Sequence, residues 1–265
     1  MNGEMDETAQ LAAAPPRTVT VRLPVGYGDA QGRLHRDVAL RQLRGSDEAL
    51  LYDASVSGAE LVTRLLHACV VSVGTLTPVV PALFEQLTSA DRNYLLYELR
   101  RITFGDEWNA VYGCPTCETP VRRTEDLSTF TVRRLAEGEK PSDIEVQLEE
   151  GYQDRAGATH KKIVARLPRG SDEAFIARFA DIDPFQARDA LLVRCIKQFG
   201  TLTRAALEGY GAKILRELTL GDRQRLQRAI AAATPGVEFQ RAVSCPACGM
   251  EFEAIADITD FFVGS

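Results

Sequence analysis

The chain has 265 residues, with 31 Lys plus Arg against 37 Asp plus Glu and a formal net charge of −6; 45% of the residues are hydrophobic and 26% charged. That is enough apolar material to bury a sizeable core, which excludes a wholly disordered chain, and at about 150 residues per domain the length suits one or two domains. The acidic balance argues against gripping nucleic-acid backbone, where clustered Lys and Arg dominate affinity.

The opening run MNGEMDETAQLAAAPP is acidic and lacks the basic, apolar, small-residue order of an export signal, so residues 1–17 are expected to form a flexible tail. No stretch reaches the roughly 18 apolar residues of a membrane span. A soluble, cytoplasmic protein without membrane insertion is expected.

Apolar alternation then predicts a strand over Thr18–Leu23, a turn at Gly26-Tyr27-Gly28-Asp29, and a second strand over residues 34–40. His35 opens that strand and is expected to be exposed. Gly45-Ser46-Asp47-Glu48 reads as a helix start, with Ser46 as cap and the acids at the positive end of the dipole. Leu61, Leu65, Leu66 and Cys69 share one face of the next helix, with His67 on the same helix. After Gly74-Thr75-Leu76-Thr77, the run Thr88-Ser89-Ala90-Asp91 resembles a capping box with Asp in place of Glu. It precedes a helix carrying Leu95, Leu96, Leu99 and Ile102. Arg100-Arg101 and Arg122-Arg123, with acids around them, read as a mixed, solvated face. A β-hairpin with Cys114-Pro115-Thr116-Cys117 at its tip closes the run, and residues 132–142 read as a linker.

The series then starts again. Strands are expected at Ile144–Leu148 and 160–166, a helix start at Gly170-Ser171-Asp172-Glu173, and another at Asp183-Pro184. Ala187, Leu191, Leu192 and Cys195 make a second apolar face. His35 and His160 differ by 125 positions, as do the two Gly-Ser-Asp-Glu-Ala runs. Cys69 and Cys195 differ by 126, as do the Gly-Thr-Leu-Thr runs. Asp91-Arg92 and Asp222-Arg223 differ by 131, as do the cysteine pairs, Asp126 and Asp257, and Phe130 and Phe261.

Matches in one order with two small shifts predict a tandem duplication. The halves are 18–131 and 143–262, each an α+β module, together forming an intramolecular pseudo-dimer. The second half is the more diverged: GDRQRLQRAIAAATPGVEF has lost much of the helix pattern of ADRNYLLYELRRITFGDEW.

Four of the six cysteines sit in the two Cys-Pro-Xaa-Cys units. A Cys-Xaa-Xaa-Cys turn offers two thiolates to one metal, and zinc takes four in a tetrahedron. Gly249 supplies the positive φ that such a turn favours; Glu118 stands in its place in the first unit. Neither unit has a histidine nearby, and Glu118, Glu251 and Glu253 are unusual ligands for structural zinc. The economical solution is one shared site of Cys114, Cys117, Cys245 and Cys248 holding a single structural zinc. A redox dithiol or structural disulfides are the alternatives; a redox motif normally opens a helix, whereas the residues after each unit look like returning strands.

Cys69 and Cys195 are expected to pack as small core hydrophobes. With three histidines, none beside a nucleophile, no catalytic constellation, phosphate loop or dinucleotide fingerprint emerges. No catalytic or small-molecule site is expected.

The stretches VRLPVGYGDAQGRLHRDVALRQLRGSDEALL, LTSADRNYLLYELRRITFGDEW and CPTCETPVRRTEDL, in that order, resemble the T4-type bacteriophage baseplate (hub) protein family, whose relatives occur in contractile injection systems. The resemblance covers most of the first half and reaches the second more weakly. It implies a non-enzymatic baseplate hub component or assembly factor whose partners are hub, spike or tape-measure proteins. The competing expectation is a zinc-binding interaction adaptor or regulator unrelated to tails; a zinc enzyme would need an open metal position that four thiolates do not leave.

Overall fold

The alternating apolar residues of the first strands build a three-stranded antiparallel sheet in the order β1 (Thr18–Gly28), β2 (Leu34–Arg41) and β3 (Val70–Val73). Val21, Leu23, Val38, Leu40 and Val73 are among its buried residues. The computed structural model describes residues 17–53, 55–180, 182–256 and 262; the N-terminal stretch 1–16 and the matched residues Asp257 and Phe261 lie outside them. Further along, β7 (Ile144–Gln153), β8 (Thr159–Ala165) and β9 (Ile196–Phe199) form a second sheet with the same order and antiparallel sense. In between come β4 (Glu107–Gly113), β5 (Pro120–Asp126) and β6 (Val132–Arg133). The chain ends in β10 (Gly236–Val237), β11 (Gln240–Ser244) and β12 (Glu251–Ile255).

Eight α-helices occur among the described residues. They are α1 (Glu48–Leu51), α2 (Gly58–Cys69), α3 (Pro81–Gln86), α4 (Ser89–Phe104), α5 (Gly170–Ile176), α6 (Pro184–Cys195), α7 (Arg204–Glu217) and α8 (Leu220–Ala233). Helix α4 packs on β1, and α8 packs on β7. The run expected to have lost its helix pattern forms all but the first of the 14 residues of α8, because Leu226 and Ile230, one turn apart, both reach the core.

Both first strands run further than alternation indicates. β1 continues to Gly28 through a slip in register between Arg22 and Tyr27, and β7 continues to Gln153 through a slip between Gln147 and Tyr152. The cause lies on the helices. Thr88 caps α4 by accepting the Asp91 N–H, but the Asp91 carboxylate does not reach back to Thr88 N as in a capping box. Instead it accepts the N–H groups of Val25 at 2.8 Å and Gly26 at 3.1 Å, which the bulge turns away from the ladder. Asp222 does the same for Glu149, Glu150 and Gly151 at 2.7, 3.0 and 2.9 Å. Gly26-Tyr27-Gly28 is therefore strand, and the reversal is made by Asp29, whose carboxylate accepts the Gln31 and Arg33 N–H groups.

Three other expectations change. Ser46 and Ser171 do not cap; Arg44 and Arg169 hold the cap positions, and Asp47 and Asp172 accept their N–H groups. Those acids are buried and paired, Asp47 with Arg41 at 2.6 Å and Asp172 with Arg166 at 2.7 Å. His35 and His160 are not exposed. Each is buried with Nε2 against a carboxylate, Asp29 at 2.9 Å and Asp154 at 3.1 Å. Gly74 and Gly200 close over them: a Cβ there would lie 2.5 and 2.6 Å from the histidine Nδ1. Arg100 is buried rather than solvated, because it donates to the Gly105 and Glu107 carbonyls beyond the end of α4.

The core is divided unevenly. One buried cluster joins Leu23, Val38, Leu66, Cys69, Phe84 and Leu95 to Trp108 and Tyr112, and also takes in Val243, Cys245 and Ala256 from the end of the chain. A second gathers Val146, Ile163, Leu192, Cys195, Phe199 and Leu226, with Val25 and Ala90 contributed from the first half. Cys69 and Cys195 are fully packed, and burial pushes both thiols up to about 12. Residues 132–142 are tied down: β6 pairs with β10, and Arg36 donates to the carbonyls of Ala136 and Glu139.

Candidate metal centre

Strands β4 and β5 pair antiparallel down to Gly113 opposite Pro120, and Cys114 to Thr119 make the connection between them. Strands β11 and β12 pair down to Ser244 opposite Glu251, with Cys245 to Met250 as the connection. The two connections share one hydrogen-bond scheme. Cys114 N–H donates to Thr119 O at 3.1 Å and Glu118 N–H to Cys114 O at 3.0 Å; Cys245 N–H donates to Met250 O at 2.8 Å and Gly249 N–H to Cys245 O at 2.9 Å. The scheme demands positive φ at the fifth position. Gly249 has φ 73° without strain, and Glu118 is forced to φ 59°.

The two tips meet. Cys114 Sγ lies 3.6 Å from Cys248 Sγ, and Cys117 Sγ lies 3.6 Å from Cys245 Sγ. All four sulfurs fall within 4.8 Å of one another. Four thiolates around zinc at about 2.3 Å would stand about 3.8 Å apart at the corners of a tetrahedron. The observed spacing fits that set, and it far exceeds the roughly 2.05 Å of a disulfide. Cys114 and Cys245 are buried, whereas Cys117 and Cys248 stand nearer solvent. Glu118, Glu251 and Glu253 do not belong to the cluster.

The two outer thiols are shifted in opposite directions. The Thr119 hydroxyl and N–H draw Cys117 down to about 6, while Cys248, although bonded by the Met250 N–H, is pushed up to about 12 with Cys117 beside it. A cation among clustered thiolates would offset their mutual repulsion.

Arginines bind the two hairpins side by side. Arg123 donates to Ala242 O at 2.8 Å, and the Arg241 guanidinium lies over the Phe130 ring, 3.3 Å from its centroid. Tyr112, on the inner face of β4, donates its hydroxyl to the buried Glu125 at 3.1 Å. With β5 and β12 following the cysteines as strands, no helix dipole bears on the thiols as in a redox dithiol.

A family model described as T4 bacteriophage base plate protein matches residues 33–263. The chain belongs to the T4 bacteriophage base plate protein family. The match runs through both halves and includes all four clustered cysteines. Membership gives this base plate protein a baseplate-related role and points to other tail proteins as its neighbours. Neither the curated proteins nor the solved structures hold a match to it. Among the described residues, no helix is long and apolar enough to cross a membrane.

Sequence reasoning missed Asp91 and Asp222 as clamps on the first strands, and Arg92 as a link between the halves. The repeated Asp-Arg pair at 91–92 and 222–223 was the available signal. Read as part of a helix start, it concealed contacts made more than 60 residues away.

Proposed function

We propose that this protein is a non-enzymatic component or assembly factor of the baseplate hub of a contractile tail or a related injection machine. Its two halves, 18–131 and 143–262, arose by duplication and work as one body joined through the linker 132–142. One structural zinc, held by Cys114, Cys117, Cys245 and Cys248, clamps their terminal hairpins together. The partners are hub, spike or tape-measure proteins, met in the cytoplasm of the producing cell.

The family match over 33–263 carries the baseplate reading. The four-sulfur cluster supports the metal reading. A zinc with four thiolates has no open position for water or substrate, so it would supply folding energy and hold the hairpins in register. That the cluster draws two ligands from each hairpin supports a clamp rather than two independent knuckles.

Two measurements test this. An affinity-tagged chain expressed among its native tail genes is expected to co-purify with hub, spike or tape-measure proteins; recovery of transcription or signalling proteins instead would favour an adaptor and overturn the assignment. Elemental analysis of the folded chain is expected to find one zinc per molecule, and a value near zero or two would remove the shared site.

A further inference from the structure

The surface between α6 and α7 differs from the rest of the molecule. Residues 204–217 form a 14-residue helix, where the corresponding stretch of the first half forms only the six residues of α3. The added length raises a second wall beside α6. At its midpoint Gly211 lets the helices approach closely: a Cβ there would lie 2.7 Å from Val193 Cγ1. The result is a groove of about 770 Å³ bounded by α5, α6 and α7.

Its chemistry is aromatic and cationic. Phe175, Phe179 and Val193 line it together with Tyr210, which is 67% exposed. Exposed aromatics gathered in this way are costly on a free surface and characteristic of an interface. A cation stands over one of the rings, Arg194 over Phe175 at 4.6 Å.

The charges decide what fits. Arg194, Arg204 and Arg216 are already paired with Asp172, Glu208 and Asp189. Asp172 and Asp189 are each shared with a second arginine, Arg166 and Arg223, so the groove keeps an excess of positive charge, and its Lys213 has no carboxylate partner among the described residues. A patch with unpaired positive charge on a chain of net charge −6 is complementary to a negative partner and repels a second copy's prevailing charge. The groove runs along helices, and α7 would lie alongside roughly 20 Å of partner at 1.5 Å per residue.

We infer that this groove is the docking site for an acidic amphipathic helix of another protein, whose apolar face sits on Phe175, Phe179 and Tyr210 and whose carboxylates meet Arg194, Lys213 and Arg216. The arrangement is that of a helix laid into an apolar groove with charged rims. It stands apart from the metal centre, since none of the four clustered cysteines lines it.

Fluorescence anisotropy on the full chain tests the inference with three probes. One is a labelled peptide with leucines at helical i, i+3, i+4, i+7 spacing and glutamate elsewhere; the second has lysine for glutamate; the third is an oligothymidylate of similar length. Saturable binding of the glutamate peptide, and not of the lysine peptide, is expected. Tyr210→Ala and Lys213→Glu should each weaken it about tenfold, or about 1.4 kcal/mol, and added salt should weaken it further. Both side chains point outward, so thermal unfolding of the variants should match the parent.

No binding of the glutamate peptide, or binding indifferent to both substitutions, overturns the inference. So does tighter binding of oligothymidylate, which would make the groove a nucleic-acid site. A dimer in sedimentation that Tyr210→Ala abolishes would assign the groove to a second copy. Peptide binding that tightens after Glu4→Lys with Glu7→Lys would assign it to the chain's own acidic start.

Discussion

Arg92 donates from Nε to Glu173 Oε2 at 2.9 Å, although Arg92 belongs to α4 and Glu173 to α5, 81 residues later. The guanidinium is wholly buried and also donates to Ala59 O, Thr63 Oγ1 and Phe84 O. One side chain thus ties α2, α3 and α4 of the first half to α5 of the second. Gly170 leaves room for it: a Cβ there would stand 2.7 Å from Arg92 Nη1.

Replacing Arg92 with Met should therefore destabilise the protein by about 3–5 kcal/mol, because the buried Phe84 carbonyl and the partly buried Ala59 and Thr63 oxygens lose their donor and Glu173 loses its counter-charge. Glu173→Gln, which keeps an acceptor, should cost about 1 kcal/mol. Urea unfolding midpoints check both, at unchanged m-value. A loss below about 1 kcal/mol for Arg92→Met would mean that desolvation of the guanidinium cancels its bonds.

Asp91 and Asp222 clamp equivalent bulges but titrate in opposite directions. Burial raises the Asp91 carboxyl from 3.8 to about 6, despite the N–H groups of Val25 and Gly26. Burial also acts on Asp222, but the N–H groups of Gly151, Glu149 and Glu150 outweigh it and lower that carboxyl. Between about pH 4 and 6 the folded state holds the Asp91 proton more firmly than the unfolded state, so this contribution to stability falls as pH rises, by about 1.4 kcal/mol per unit. Asp222 contributes in the other sense, and its share is lost as pH falls below the unfolded value. Asp91→Asn should flatten the slope of unfolding free energy between pH 4 and 6, even if the variant is less stable throughout. An unaltered slope in urea titrations across that window would show that Asp91 is not its source.

Glu118 occupies a left-handed backbone position that its counterpart Gly249 adopts freely. Glu118→Gly should raise thermal stability by about 1 kcal/mol, and Gly249→Ala should lower it by a similar amount. Thermal melts of the two variants, both with metal bound, should move in opposite directions. A drop for Glu118→Gly would indicate that its side chain has a role beyond backbone strain.

Chelation should lower the melting temperature, because metal binding to four thiolates adds to folding free energy. The zinc affinity should fall as pH falls, since each thiolate must give up a bound metal to take a proton. Cys117→Ser and Cys248→Ser should lose zinc, whereas Cys69→Ser, at a buried thiol outside the cluster, should retain it. Competition with a chromophoric chelator reports all three; zinc retained by both Cys117→Ser and Cys248→Ser would rule out the four-thiolate site.

Local pattern in the amino-acid sequence determined the elements and marked the four cysteines that cluster. Alternation marked β1, β2, β7 and β8; helical spacing marked the Leu65–Cys69 and Leu192–Cys195 faces; and the two Cys-Pro-Xaa-Cys tips named four sulfurs before their distances were known. These signals are legible because the period of a strand or helix and the geometry of a tight turn involve neighbours a few residues apart. Tertiary structure alone decided what depends on residues far apart. It buried His35 and His160 beneath Gly74 and Gly200, turned Asp91 and Asp222 from helix-start acids into clamps on distant strands, and drove Arg92 through to Glu173. It also placed Val243, Cys245 and Ala256 in the same core as Trp108 and Tyr112. A carboxylate, an imidazole or a guanidinium carries no mark of whether its partner is water or a donor a hundred residues away; only packing, by excluding the water, makes that choice.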